Sequence, residues 1–277
     1  MPEGDTVWLT AQRLDRALSG QLLTVSDFRV PRLAEVDLVG RRVVEAVSRG
    51  KHLLIRVGEL TIHSHLKMEG SWHVYGLGSP WRSPAYQARV VLANAQRQAV
   101  GFRLGRLDIV PGTQEDTVVG HLGPDLLGPD WSVEEALLRL RSRPDVPIGE
   151  ALLDQRNLAG IGNMYKAEVC FLFGIHPATA IGEVAYLPQL VARAKQLLEL
   201  NKSRAEQSTT GDLRRGKELW VYARAGKPCR RCAVTIRREV LPALGDLERR
   251  RSPDTAPDQD RARESFWCPR CQPPPGG

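Results

Sequence analysis

No apolar run in this chain approaches the roughly twenty residues a membrane-spanning helix needs, and the mean hydropathy is -0.30. A membrane partner is therefore not expected. The N-terminus, Met1-Pro2-Glu3-Gly4-Asp5, carries acids where a secretion signal would carry a basic segment and an apolar core, so a cytoplasmic, reducing location is expected. Cysteine is scarce, five in 277 residues, and a chain of this length can bury its cores without disulfide staples. Histidine offers little. His63 and His65 alternate along one strand-like run and share a face, but no third ligand lies near them, so a structural role is expected.

What is present is basic charge, and it is unevenly placed. The formal charge is +7; residues 201–277 hold 17 Lys and Arg against 10 Asp and Glu, while the first 200 residues hold 22 of each sign. The excess thus surrounds two Cys-x-x-Cys pairs. Cys229, Cys232, Cys268 and Cys271 supply the four thiolates of a structural Zn²⁺ site, because two intervening residues let each pair turn back on one ion. One such ion is expected, and no redox or nucleotide cofactor. The spacing of 35 residues between the pairs is long, and its middle, 241–260, is rich in Arg, Asp and Pro and reads as a disordered insertion. Cys170, inside the apolar run 169–173, reads as a core thiol.

The periodicity divides the chain. Asp5 can cap a helix running to Leu18, with Val7, Ala11, Leu14 and Leu18 at spacings of three and four. Short β-branched runs follow at 22–25, 42–47, 52–57, 60–63, 71–75, 89–92, 98–103 and 107–110, broken by Gly, Asp and Pro, as in a β-sandwich or barrel. Residues 76–84 read as a loop and 113–131 as a linker. Beyond it the pattern is helical: Ser132-x-x-Glu135 is a capping box ahead of 136–140, and further runs lie at 148–153, 163–173 and 187–200. The expected fold is α+β, with a helix plus β-sandwich over 1–112, a helical domain over 132–219 and a Cys-bearing module over 220–277.

Two segments suggest chemistry. Between 154 and 165 the glycines 160 and 162 permit positive φ, which lets successive backbone N–H groups converge at the start of the next helix. With Asn163 as N-cap, such a nest would fit a DNA phosphate; an ordinary helix hairpin is the alternative. At the N-terminus, removal of Met1 would give Pro2 a free secondary amine beside Glu3. Attack by that amine on an aldehydic carbon yields an iminium, cationic without a proton and hence an electron sink.

Taken together and in this order, these elements resemble the formamidopyrimidine-DNA glycosylase and endonuclease VIII family, and in particular its endonuclease VIII-like branch. The resemblance rests on Met1-Pro2-Glu3-Gly4, on Gly50-Lys51-His52-Leu53-Leu54, on the 157–163 turn, and on Trp267-Cys268-Pro269-Arg270-Cys271-Gln272. It implies a helix-two-turn-helix domain with a zinc-finger hairpin, and damaged DNA bound by a monomer in the cleft between domains. It implies that Pro2 is the nucleophile, Glu3 the acid/base and Lys51 a lysine near the lesion's phosphate. Asn163 and Arg263 would clamp phosphates with Gly162 beside them, Arg261 being the alternative to Arg263, and Met68 would fill the void left by an extruded base. The activity implied is that of a bifunctional DNA glycosylase and AP lyase of base-excision repair.

The chain departs from the family start, Met-Pro-Glu-Gly-Pro-Glu, by Asp5 and Thr6, which removes an acid near the pocket. Purine-directed members carry an Arg-x-Phe pair and a long loop before the zinc hairpin; here Arg103-Leu104-Gly105-Arg106 lacks the Phe and only 209–218 precedes Leu219-Trp220-Val221-Tyr222. Both favour oxidised pyrimidines as substrates. An oxidised-purine enzyme and a non-catalytic binder of damaged DNA are the alternatives.

Overall fold

The computed structural model describes residues 2–241 and 263–276, with the side chains of residues 241 and 263 excepted. Helix α1 (Gly4–Leu18) is followed by eight strands: β1 (Val25–Phe28), β2 (Val43–Arg49), β3 (His52–Val57), β4 (Leu60–His65), β5 (Ser71–Gly76), β6 (Ala88–Ala93), β7 (Arg97–Phe102) and β8 (Arg106–Pro111). They form two antiparallel four-stranded sheets, ordered β1-β6-β7-β5 and β2-β3-β4-β8. Period-two alternation builds the layer between them. Leu53, Ile55 and Val57 of β3 meet Val90 and Leu92 of β6 in one core, onto which α1 lays Val7, Ala11, Leu14 and Leu18. Leu54 points the other way, into a second cluster with Val118, Val119, Leu122 and Ala159. Burial on both faces explains why β3 is nearly all apolar, and it fixes the turn just before it against the helical half.

The helical half holds α2 (Asp116–Val119), α3 (Val133–Arg141), α4 (Ile148–Ala151), α5 (Asn163–Leu172) and α6 (Leu187–Asn201). Its core gathers Leu140, Ile148, Tyr165, Val169 and Leu198, and includes Cys170, whose thiol burial pushes up to about 12. Ser132 caps α3 by accepting from the Glu135 N–H at 3.1 Å, whereas the Glu135 carboxylate turns to Arg139. Residues expected to be a plain linker include α2 and the buried Leu122, Asp125 and Leu126, which pack between the halves. Strands β9 (Arg237–Leu241) and β10 (Arg263–Trp267) pair antiparallel and carry the Cys module. The insertion expected at 241–260 lies outside the described residues beyond Leu241. Among the described residues no helix is long and apolar enough to cross a membrane.

Candidate active site between the sandwich and the helical half

Glu3, where Asp5 was expected, is the N-cap of α1 in backbone terms, its carbonyl accepting from the Val7 N–H at 3.0 Å, so the cap sits two residues earlier and the helix starts at Gly4. Its carboxylate reaches the other half of the molecule. Oε2 accepts from the Gly162 N–H at 2.7 Å and the Tyr165 N–H at 3.4 Å, and Oε1 from the Met164 N–H at 2.8 Å. The nest expected in the 154–165 turn therefore exists, but the anion it holds is this internal carboxylate, where the sequence suggested a phosphate. The cap of α5 is correspondingly Gly162, in extended backbone, and Asn163 is the first helical residue. Gly162 admits no side chain, because a Cβ there would lie 2.5 Å from Glu3 Cδ.

Glu3 is fully buried, and burial pushes its carboxyl up to about 7 against the opposing pull of the Lys51 ammonium and the nest. Pro2, half-buried, precedes it directly. Gly4 donates to the Gly160 carbonyl at 2.9 Å, and a Cβ on Gly4 would meet Gly160 Cα at 2.9 Å, so the halves touch backbone to backbone here. Gly160 has φ +113°, a conformation that favours glycine.

Lys51 is presented by a similar device. Gly50, at φ +56°, turns the chain between β2 and β3 and donates to Asp125 Oδ2 at 2.7 Å. Asp125 is buried and also accepts from Leu127, so a residue of the expected linker holds the lysine's turn. Asp5, also buried, accepts from the Tyr165 hydroxyl at 2.6 Å and from Gln207 Nε2 at 2.8 Å, and Gln207 reaches Thr6 Oγ1 at 3.4 Å. An acid is thus retained beside Glu3 at position 5. Sequence reasoning missed Asp125, Tyr165 and Gln207, whose partners lie far along the chain and leave no local spacing.

Met68 is 66% exposed at the tip of the β4–β5 loop. The turn after β7 backs this loop: Gly105 donates to the His65 carbonyl at 3.1 Å and Arg103 pairs with Glu69 at 3.6 Å. Asn163 Nδ2 donates to the Glu264 carbonyl at 2.8 Å, and its Oδ1 is buried without a partner among the described residues. The backbone of Arg263, at the head of β10, is one residue from that contact; its side chain and Arg261 lie outside the described residues. Behind α5 the fully buried Glu168 accepts from the N–H groups of Trp220, Val221 and Tyr222, each at 2.8 Å, and from the Thr209 hydroxyl, joining the Cys module to α5.

The four sulfurs of Cys229, Cys232, Cys268 and Cys271 lie within 4.8 Å of one another, with pairs at 3.4, 3.6 and 3.9 Å. A tetrahedron of Zn–S bonds of about 2.3 Å has edges of about 3.8 Å, whereas a disulfide needs about 2.05 Å. These residues fit a zinc ion. The histidines do not form a comparable set: His63 is fully buried with Nε2 2.8 Å from His52 Nδ1, and His65 and His121 pack edge-on around His52.

Family models of the formamidopyrimidine-DNA glycosylase N-terminal domain and H2TH domain match residues 1–106 and 122–205. A protein named probable endonuclease 8 2 from Streptomyces coelicolor is 53% identical over 288 residues, covering 100% of this chain and 97% of the relative. The chain belongs to the formamidopyrimidine-DNA glycosylase family. Another relative, named DNA-(apurinic or apyrimidinic site) lyase Nei2 from Mycolicibacterium smegmatis, is 46% identical over 98% of this chain and 99% of its own. The glycosylase fold is also that of Lactococcus lactis Fpg solved with abasic-site DNA, with a TM-score of 0.76 at 22% identity over 98% and 100% of the two chains.

Proposed function

We propose that this family member is a bifunctional DNA glycosylase and AP lyase of base-excision repair that removes oxidised pyrimidines from damaged DNA, working as a cytoplasmic monomer. The observation that carries the reading is Glu3: a fully buried carboxyl with its proton affinity set near neutrality, next in the chain to an imino acid and at the seam between the halves. A general acid/base works best with a pKa near the operating pH.

After removal of Met1, the Pro2 nitrogen attacks the sugar's anomeric carbon. The bond to the base breaks as the new C–N bond forms, the amine's proton leaving with the base, and the Glu3 carboxyl then gives its proton to the sugar ring oxygen as the C1′–O4′ bond opens. The resulting iminium acidifies the neighbouring C–H, so β- and then δ-elimination release the strand's phosphates. Lys51 lies close enough to Glu3 to draw on its charge, and is assigned to the same proton transfers and the lesion's phosphate. Asn163 and Arg263 are assigned to the phosphates, with Gly162 shaping their turn, and Met68 to the void in the duplex. The zinc ion, when bound, supplies cross-linking of β9–β10 to the Cys229 loop and no chemistry of the reaction.

The pyrimidine preference rests on the missing Phe beside Arg103 and on the compact 209–218 stretch, closed by a bond from the Thr209 N–H to the Glu218 carbonyl at 2.9 Å. Borohydride trapping on abasic-site DNA, with mature and N-terminally blocked protein, tests the nucleophile. Nicking of duplexes with thymine glycol, dihydrouracil or 8-oxoguanine tests the substrate. Absence of a trapped adduct from the mature chain overturns the lyase assignment, and faster nicking at 8-oxoguanine overturns the pyrimidine preference.

A further inference from the structure

A second concavity, about 370 Å³, opens along α1 beyond the catalytic seam. Arg13 and Arg16 of α1, Trp72, His73 and Tyr75 of β5, and Arg82 of the 76–84 loop line it, and no carboxylate does. The three arginines are exposed, and none forms a salt bridge among the described residues. Some arginines of the sandwich are neutralised, Arg29 by Asp27, Arg32 by Asp108 and Arg56 by Glu45 and Glu115, whereas these three share one hollow with no acid in its lining. Like charges gathered round a hollow repel one another. That cost is offset when an anion enters. The field is felt at His73, which burial and then the charges of Arg82 and Arg13 hold below the usual imidazole range. The Tyr75 hydroxyl accepts from the Arg82 N–H at 3.2 Å, fixing the loop that brings the third arginine in.

Guanidinium forks match phosphate oxygens two at a time. The direction of approach comes from α1. Thr6, in contact with Gln207 at the catalytic seam, Thr10 and Arg13 follow at helical spacings of four and three, so one face of the helix runs from Glu3 into the cleft. At the α-helical rise, Arg13 and Arg16 lie about 15 and 20 Å from Glu3 along the axis, a distance a few nucleotides span. We propose that this cleft is a phosphate-binding subsite that grips the backbone of the DNA strand continuing past the catalytic pocket. The strand as the source rests on the glycosylase reading above; the phosphate site itself does not.

The test compares the full chain with R13A/R16A/R82A, substitutions of exposed side chains whose folding is checked by thermal melting. Binding to a short and a long abasic-site duplex is measured over a range of salt, and a free nucleotide, AMP, is titrated by tryptophan fluorescence. The expected result is a salt slope shallower by about 2 to 3 for the triple variant on the long duplex, from roughly 0.9 per lost phosphate contact. The short duplex and the single-turnover trapping rate at saturating DNA stay unchanged. An unchanged slope with AMP binding that the triple variant loses keeps the phosphate site and replaces its source by a free nucleotide. An unchanged slope with no AMP binding overturns the proposal, as does displacement by an acidic peptide alone. Loss of trapping in the unmutated chain with the salt effect intact counts against the glycosylase reading and leaves the cleft standing.

Discussion

Glu3→Gln gives the most quantitative test of how the site is built. The ionised carboxylate is buried at the seam, and its pKa rises from 4.5 to about 7 on folding, so ionising it costs the native state about 3 kcal/mol. The sign follows from proton counts. Between about pH 4.5 and 7 the native chain holds a proton at Glu3 that the unfolded chain has lost, so this group's contribution to stability is complete at the acid end and is lost as pH rises through the folded pKa. Gln removes that dependence. It also presents an amide nitrogen to one of the two closest donors, Gly162 or Met164, leaving a buried N–H unpaired at about 1 to 3 kcal/mol. E3Q is therefore expected to be less stable than the parent at pH 4, below the unfolded pKa, by about that amount, and to match or exceed it at pH 8.5. Other buried carboxyls, Asp5, Asp125 and Glu168, are common to both chains and cancel to first order. Urea unfolding across this pH range measures the gap. Parallel stability curves for the two chains would refute the reasoning, because they would mean that Glu3 ionises in the native state as it does in water.

Other expectations follow from the same geometry. K51A should slow base release more than it weakens DNA binding, whereas N163A and R263A should weaken binding and each make the salt slope shallower by about 0.9; single-turnover rates and titrations at several salt concentrations separate the two. G162A should lose several kcal/mol of stability or displace Glu3, since its Cβ would sit 2.5 Å from the Glu3 carboxyl carbon; the check is a melt together with trapping, and a fully active, equally stable variant refutes the contact. Stripping metal with a chelator, or C268S, should abolish DNA binding while the sandwich, with its separate core, keeps its β-sheet circular dichroism.

The sequence made the regular elements legible and left the seam obscure. Strand β3 is readable to the residue because its apolar run and its bounding glycines are local, and the α1 cap lies only two positions from Asp5. The start of α5 shows the opposite case. A turn with two glycines before a helix announces an anion site, but whether that anion is solvent-borne or internal depends on residue 3, some 160 positions away. Long separations of 160, 201 and 75 positions likewise hide Tyr165 against Asp5, Gln207 against Thr6, and Asp125 against Gly50. Glu168 is the plainest miss, a charge inside an apolar helical run that reads as an ordinary heptad position. Only the fold reveals three backbone donors converging on it.

These contacts share a logic. Glu3 and the Lys51 turn both come from the sandwich, yet residues beyond it hold them, Glu3 through the head of α5 and the turn through Asp125, and the neighbouring Asp5 is held likewise by Tyr165. The carboxyl's unusual proton affinity is therefore a property of the closed seam. Were the halves to part by a few ångströms, water would reach Glu3, the desolvation that raises its pKa would vanish, and the group would become an ordinary carboxylate with no proton to give at neutral pH. The contact between Gly4 and Gly160, too close for any side chain, keeps that gap shut at the point where the chain leaving Pro2 enters. Acid strength and domain closure are in this way the same variable, and a substitution that loosens the seam should reach the chemistry without touching Pro2.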